Sequence, residues 1–157
     1  MATGDWLAAV LCTDEDLRSL EIHVLEWVAR EGSAAYWRAT AKDLIEVELR
    51  QSFRNIELAT EEADVLDLVP DVTPLKYAAC YLTLHLICNN CSTGGDHWEY
   101  KAEMYWNKYK GALPDAISML SVDVDESGDI VDSEKYYISH GVRMTRGSTF
   151  QIPSEDE

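Results

Sequence analysis

Positive charge is the scarcest resource in this sequence. Thirteen Lys and Arg stand against 29 Asp and Glu, giving a formal net charge of −16 over 157 residues. A protein that grips DNA through its phosphates needs a basic face to displace counterions, and one that adheres to anionic lipid needs the same. This composition disfavours both. Long hydrophobic runs are also missing: no stretch approaches the roughly 20 apolar residues of a membrane span. Asp5, Asp14, Glu15 and Asp16 interrupt the apolar stretch near the start, where a secretory signal would need continuity. The chain is therefore expected in a cytosol or assembled in one.

Catalytic patterns are equally sparse. His23, His85, His97 and His140 are scattered, with no His-Glu-x-x-His pair, no glycine-rich phosphate loop and no nucleophile elbow. The expectation is a protein that is not an enzyme. His23 and His85 fall within apolar helical patterns and read as satisfied core or interface histidines. Cysteines number four, at 12, 80, 88 and 91. Cys88 and Cys91 have the spacing of a metal or redox pair, but a structural zinc site needs a second pair. The four are expected to be buried reduced thiols, with Cys80 and Cys88 on roughly one helix face.

What is present is helical periodicity. Thr13 followed by Asp14, Glu15 and Asp16 reads as an N-cap with acids at the positive end of a helix. Leu17, Leu20, Val24 and Trp27 then predict one amphipathic helix over about 14–29. A second is predicted over 34–51, with Trp37, Ala41, Leu44, Ile45 and Leu49 inward and Lys42, Glu46 and Arg50 outward. Thr60 to Asp64 suits the start of a short helix that Pro70 would stop. Pro74 opens the most apolar segment, 75–91, whose apolar character nearly all round predicts a central helix. After turn residues at 89–95, Asp96 is expected to cap a helix to about 120. Trp98, Ala102, Tyr105, Tyr109, Leu113, Ile117 and Leu120 form its inner stripe, and Pro114 should loosen its end.

Residues 123–134 match the calcium-loop template of an EF-hand. Asp123, Asp125, Ser127 and Asp129 fall at the first, third, fifth and seventh places, Gly128 makes the turn, and Glu134 closes at the twelfth. Calcium is thus the divalent ion the loop would take, if it takes one. The flanks weaken that reading. The segment after the loop, from Lys135, reads as strand, no second loop exists to pair with, and Val131 offers no side-chain oxygen. An acidic turn that needs no cofactor, joining a bundle to a C-terminal arm, is the competing reading. Tyr136 to Ile138 and Val142 to Thr145, around Ser139-His140-Gly141, have the β-branched and aromatic content of a hairpin. Residues 147–157 are polar apart from Phe150, Ile152 and Pro153.

The expected fold is therefore mainly α: a bundle of four to five helices over 1–120, an acidic EF-hand-like loop over 121–135, and a C-terminal β-hairpin or extended arm with its tail over 136–157. The order of the pieces carries a resemblance. Lys76-Tyr-Ala-Ala-Cys-Tyr-Leu-Thr-Leu-His-Leu-Ile lies on the central helix, followed by Trp98-Glu-Tyr-Lys-Ala-Glu-Met-Tyr-Trp-Asn-Lys-Tyr, then Asp123-Val-Asp-Glu-Ser-Gly-Asp-Ile, then Arg143-Met-Thr-Arg146. This layout resembles the head-tail connector (adaptor) proteins of tailed bacteriophages, best between about 35 and 146.

The resemblance implies a structural virion protein of the neck, forming a ring of about twelve copies below the portal, extending the DNA channel and docking the tail. It implies contact with the portal and with tail or neck proteins, and DNA passing without sequence-specific binding. Phe150 and Ile152 become docking residues that order on assembly. Arg143 and Arg146, the only arginines of the acidic C-terminal region, become pairing partners for acids on a neighbour. Two other classes stand beside it: a single-loop calcium-binding interaction module, and an acidic DNA mimic that inhibits a nucleic-acid enzyme.

Overall fold

The computed structural model describes residues 5–28, 34–53, 66–67, 69–91 and 95–121. Those residues are mainly helical, with no strand among them. Five α-helices follow in order: α1 (Asp14–Leu20), α2 (Val24–Trp27), α3 (Ala35–Phe53), α4 (Lys76–Asn90) and α5 (Asp96–Met119), with a 3₁₀ turn at Thr73–Leu75 leading into α4. The start of the expected short helix, at 60–64, and the expected hairpin at 136–146 lie outside the described residues; before Pro70, Leu66 and Asp67 form a turn.

α4 is the central element. Its pairing with α5 is the most extensive in the fold, its other flank meets α3, and α1 also touches it. Ala78, Ala79, Leu82, Leu84 and Ile87 are closed to solvent, as an all-round apolar helix requires. Thr83 is the one buried polar side chain among the described residues. Its hydroxyl donates back to the Ala79 carbonyl at 2.7 Å, which satisfies the group without breaking the helix.

α5 turns the predicted stripe inward: Ala102, Tyr105, Tyr109, Leu113, Ile117 and Leu120 are all buried, and Trp98 is half-buried against the core. Its N-cap is Gly95 rather than Asp96, at φ +123°. That conformation favours glycine whatever the space around it, and Asp96 instead supplies negative charge to the first turn. The helix also runs through Pro114 to Met119. Proline deprives the carbonyl four residues back of its donor, and here that carbonyl belongs to exposed Lys110, where water can substitute.

Two expectations about the first half need correction. The helix predicted over 14–29 is two short ones. α1 ends at Glu21, which adopts an extended backbone (φ −140°, ψ 102°), and α2 starts at Val24. The apolar period survives the break, since Leu17 and Val24 are fully buried. The break follows from a long-range contact: the Glu21 carboxylate is held by Lys101 and Tyr105 of α5. On α3, Ala41, Ile45 and Leu49 face the core as expected, whereas Leu44 is 44% exposed. It sits one residue off the 41–45–49 row, and among the described residues no neighbouring element covers that side.

The start of α1 is a full capping box. Thr13 Oγ1 accepts from the Asp16 amide at 3.2 Å and Asp16 Oδ2 accepts from the Thr13 amide at 2.9 Å. Asp16 also meets Lys76 Nζ at 2.6 Å, tying α1 to the first turn of α4. The Lys76 hydrogen bond, with those from Thr13, holds the Asp16 carboxyl at about 2.

The N-terminal segment is fastened to α3 through polar contacts that periodicity does not announce. Trp6 is buried, its indole N–H donates to Glu46 Oε2 at 2.9 Å and its amide to Asp67 Oδ1 at 3.1 Å. Lys42 Nζ donates to the Leu7 and Ala9 carbonyls at 3.0 and 2.7 Å and lies over the Trp6 ring. Of the expected outward charge ladder on α3, Arg50 pairs with Glu46 at 2.9 Å, but Lys42 is spent on the segment.

Candidate interaction surface

None of the residues singled out from sequence as ligands or contacts can be placed. Asp123, Asp125, Ser127, Asp129 and Glu134 of the acidic loop, and Arg143, Arg146, Phe150 and Ile152 of the C-terminal arm, lie outside the described residues. The described part offers instead an exposed face on α4 and α5 where rings and lysines gather.

Helical spacing builds this face. Tyr77 and Tyr81 stand one turn apart on α4 with ring centroids 6.4 Å apart, and Tyr81 stacks on Tyr105 of α5 at 6.4 Å. Lys108 lies over both Tyr81 and Tyr105, its Nζ 5.6 and 5.4 Å from their centroids. Such contacts contribute about 0.5–1 kcal/mol each at exposed sites and fix a long side chain in place. Elsewhere on the α4–α5 pair, His85 packs against Trp106 at 5.1 Å and Lys110 lies over the same indole at 5.8 Å. α5 thus carries three lysines, Lys101, Lys108 and Lys110, on a strongly acidic chain.

Two open depressions border the face. One, of about 600 Å³, is lined by Tyr100, Glu103, Met104, Asn107 and Lys108. The other, of about 410 Å³, lies between His85 and Asn89 of α4 and Glu99, Glu103 and Trp106 of α5. Tyr100 is 68% exposed and Tyr77 59%. Large aromatic side chains left in water beside fixed cations suit recognition of a partner surface.

A half-buried polar anchor holds the face from beneath. Glu21 Oε1 accepts from Lys101 Nζ at 2.8 Å and from the Tyr105 hydroxyl at 2.5 Å. Lys101 also lies over the Trp27 ring at 4.7 Å, and Trp27 meets Trp98 edge-on at 4.9 Å. Burial alone would raise the Glu21 carboxyl, but the hydrogen bonds from Lys101 and Tyr105 outweigh it and leave it below its ordinary value. Burial and the Glu21 carboxylate together push the Tyr105 hydroxyl well above the usual tyrosine range. Sequence offered one sign of this anchor: Glu21 interrupts an apolar period, and such a carboxylate needs a partner when half-buried.

The histidine and cysteine expectations divide. His85 is satisfied as expected, its Nδ1 2.8 Å from the Ala102 carbonyl. His23 is not in a core: its side chain is 64% exposed at the start of α2, beside Glu26 at 3.1 Å. Cys12, Cys80 and Cys88 are buried, and Cys91 is half-buried at the end of α4. Among the described residues no group of three or more His, Cys, Asp or Glu converges as a metal shell would, and no helix is long and apolar enough to cross a membrane.

No family model, curated protein or solved structure matches the chain.

Proposed function

We propose that the chain is a head-tail connector of a tailed bacteriophage, a structural protein of the virion neck that forms a ring beneath the portal. The order of helical bundle, acidic loop and arginine-bearing arm suggested it. One structural observation supports it best: large apolar side chains are exposed on two separate helix surfaces. Tyr36, Leu44 and Val47 line the outer side of α3, at 62%, 44% and 53% exposure, while Tyr77, Tyr100 and Trp106 stand on α4 and α5. A closed ring is built from a head-to-tail contact, which requires two different and complementary patches on every subunit. A single-patch binder needs only one.

In this role α3 of one copy meets the α4–α5 face of the next. The C-terminal arm, with Arg143, Arg146, Phe150 and Ile152, contacts a neighbour or the portal. The net charge of −16 per copy then keeps the DNA channel from adhering to phosphate. Sedimentation velocity tests the two-patch arrangement. The wild-type chain should sediment as a ring-sized species, and Val47→Asp and Tyr100→Asp should each abolish it while leaving the far-UV circular dichroism unchanged. Rings that persist in both variants overturn the arrangement.

A further inference from the structure

The described cations differ in what they touch. Lys42 is held by the Leu7 and Ala9 carbonyls, Lys76 by Asp16, Lys101 by Glu21, Arg38 by Asp14 and Arg50 by Glu46. Lys108 has no such partner. It is exposed, and its Nζ lies over the Tyr81 and Tyr105 rings rather than on a carboxylate. Among the described residues no acid stands within ion-pair distance of it. The two rings hold the long side chain in place and leave its charge unmatched.

Asp43 is the counterpart on α3. It is exposed, and among the described residues no cation stands within ion-pair distance of it. Helical spacing sets it three residues after Thr40 and four before Val47, inside the outer row that Tyr36 begins. Tyr36 is itself steadied by an edge-on contact with Trp37 at 5.0 Å. The two patches therefore have the same make-up with the sign reversed: large side chains left in water around one unmatched charge. On α3 that charge is a carboxylate one turn from Val47. On α5 it is an ammonium one turn from Met104, in the depression that Tyr100 also lines.

The overall charge makes this matching decisive. Two copies at −16 each repel one another. At physiological ionic strength that repulsion is screened beyond about 8 Å, so the charges that meet at the contact select its register.

We infer that Asp43 of one copy pairs with Lys108 of the next, and that this pair sets the direction and register of the head-to-tail contact. Tyr36 and Val47 then seat against Tyr77, Tyr81 and Tyr100 of the neighbour and exclude water from around the pair. An ion pair left in water contributes little. Enclosed by rings and aliphatic side chains, opposite charges become selective and like charges costly. The inference rests on the proposed ring and names a second copy of this chain as the partner of the α4–α5 face.

Sedimentation velocity of the full chain tests it, with far-UV circular dichroism as the check on folding. The wild type should sediment as a ring-sized species. Asp43→Lys sets two ammonium groups against each other at every contact, and Lys108→Asp sets two carboxylates; each should lose that species. An equimolar mixture of the two variants should regain it, because every contact between unlike copies then carries one charge of each sign. The double variant, with the pair exchanged, should regain it by itself. Glu15→Lys, at an exposed position of α1 outside both patches, should keep it, which separates pairing from a change in net charge. Rings that persist in either single variant overturn the pairing and leave the ring reading standing. Rings lost in the single variants and not restored by the mixture or by the double variant also overturn the pairing. A wild-type chain that stays monomeric overturns both.

Discussion

Replacing Glu21 with alanine tests whether the break between α1 and α2 is held from α5. The carboxylate sits with its side chain 19% exposed, as does that of Lys101, at an Oε1–Nζ distance of 2.8 Å, and the same oxygen takes the Tyr105 hydroxyl. Hydrogen bonds to charged groups contribute about 1.5–3 kcal/mol each, and removing one partner leaves the others desolvated and unpaired. The loss should therefore be about 3 kcal/mol, a fall in Tm of roughly 6–12 °C for a chain of this size. Urea unfolding followed by circular dichroism at 222 nm measures it.

Glu21→Gln keeps an acceptor for Tyr105 and should lose less, about 1–2 kcal/mol. A cycle of Glu21→Gln with Tyr105→Phe should show a coupling of about 1 kcal/mol. The pH dependence has a definite sign. The folded Glu21 carboxyl lies below its ordinary 4.5, so its contribution is fully present above that value and is lost as pH falls through the folded value. The gap between wild type and Glu21→Gln should narrow as pH drops below about 4.5. A loss under about 0.5 kcal/mol for Glu21→Ala, or a gap that stays constant across that range, refutes the reasoning.

Three further outcomes are expected. Thr13→Ala breaks the capping box and should cost about 1 kcal/mol in urea unfolding at neutral pH; with Asp16 held at about 2 against an ordinary 3.8, part of the stabilisation it contributes should disappear as pH is lowered through that interval. Ile45→Ala, which empties a fully buried position between α3 and α4, should cost about 2–5 kcal/mol, whereas Leu44→Ala one residue earlier should stay within about 1 kcal/mol. For the acidic loop, calorimetric titration with calcium should give the same heats for the wild-type chain and for Asp123→Ala; heat specific to the wild type contradicts the metal-free turn.

The long helices were legible because burial acts through spacing. α3, α4 and α5 each bury the residues that a period near 3.6 selects, and Ala41, Ile45 and Leu49 or Tyr105, Tyr109 and Leu113 could be named from sequence alone. What escaped depends on contacts between residues far apart in the chain. Glu21 stops a helix that its neighbours would continue, because its partners stand 80 and 84 residues away. Trp6 and Lys42 tie down a segment with no period at all. The α4–α5 face was hidden for a different reason: α4 is apolar nearly all round, so Tyr77 and Tyr81 could not be told from core, and only the positions of α3 and α5 around α4 decide which of its rings remain in water.

The most direct test of the proposed role is negative-stain imaging of the full chain mixed with the portal protein of the same phage. The account predicts rings of this chain seated on one end of the portal, with a central channel wide enough for duplex DNA. Portal particles that remain bare, with this chain monomeric beside them, contradict it.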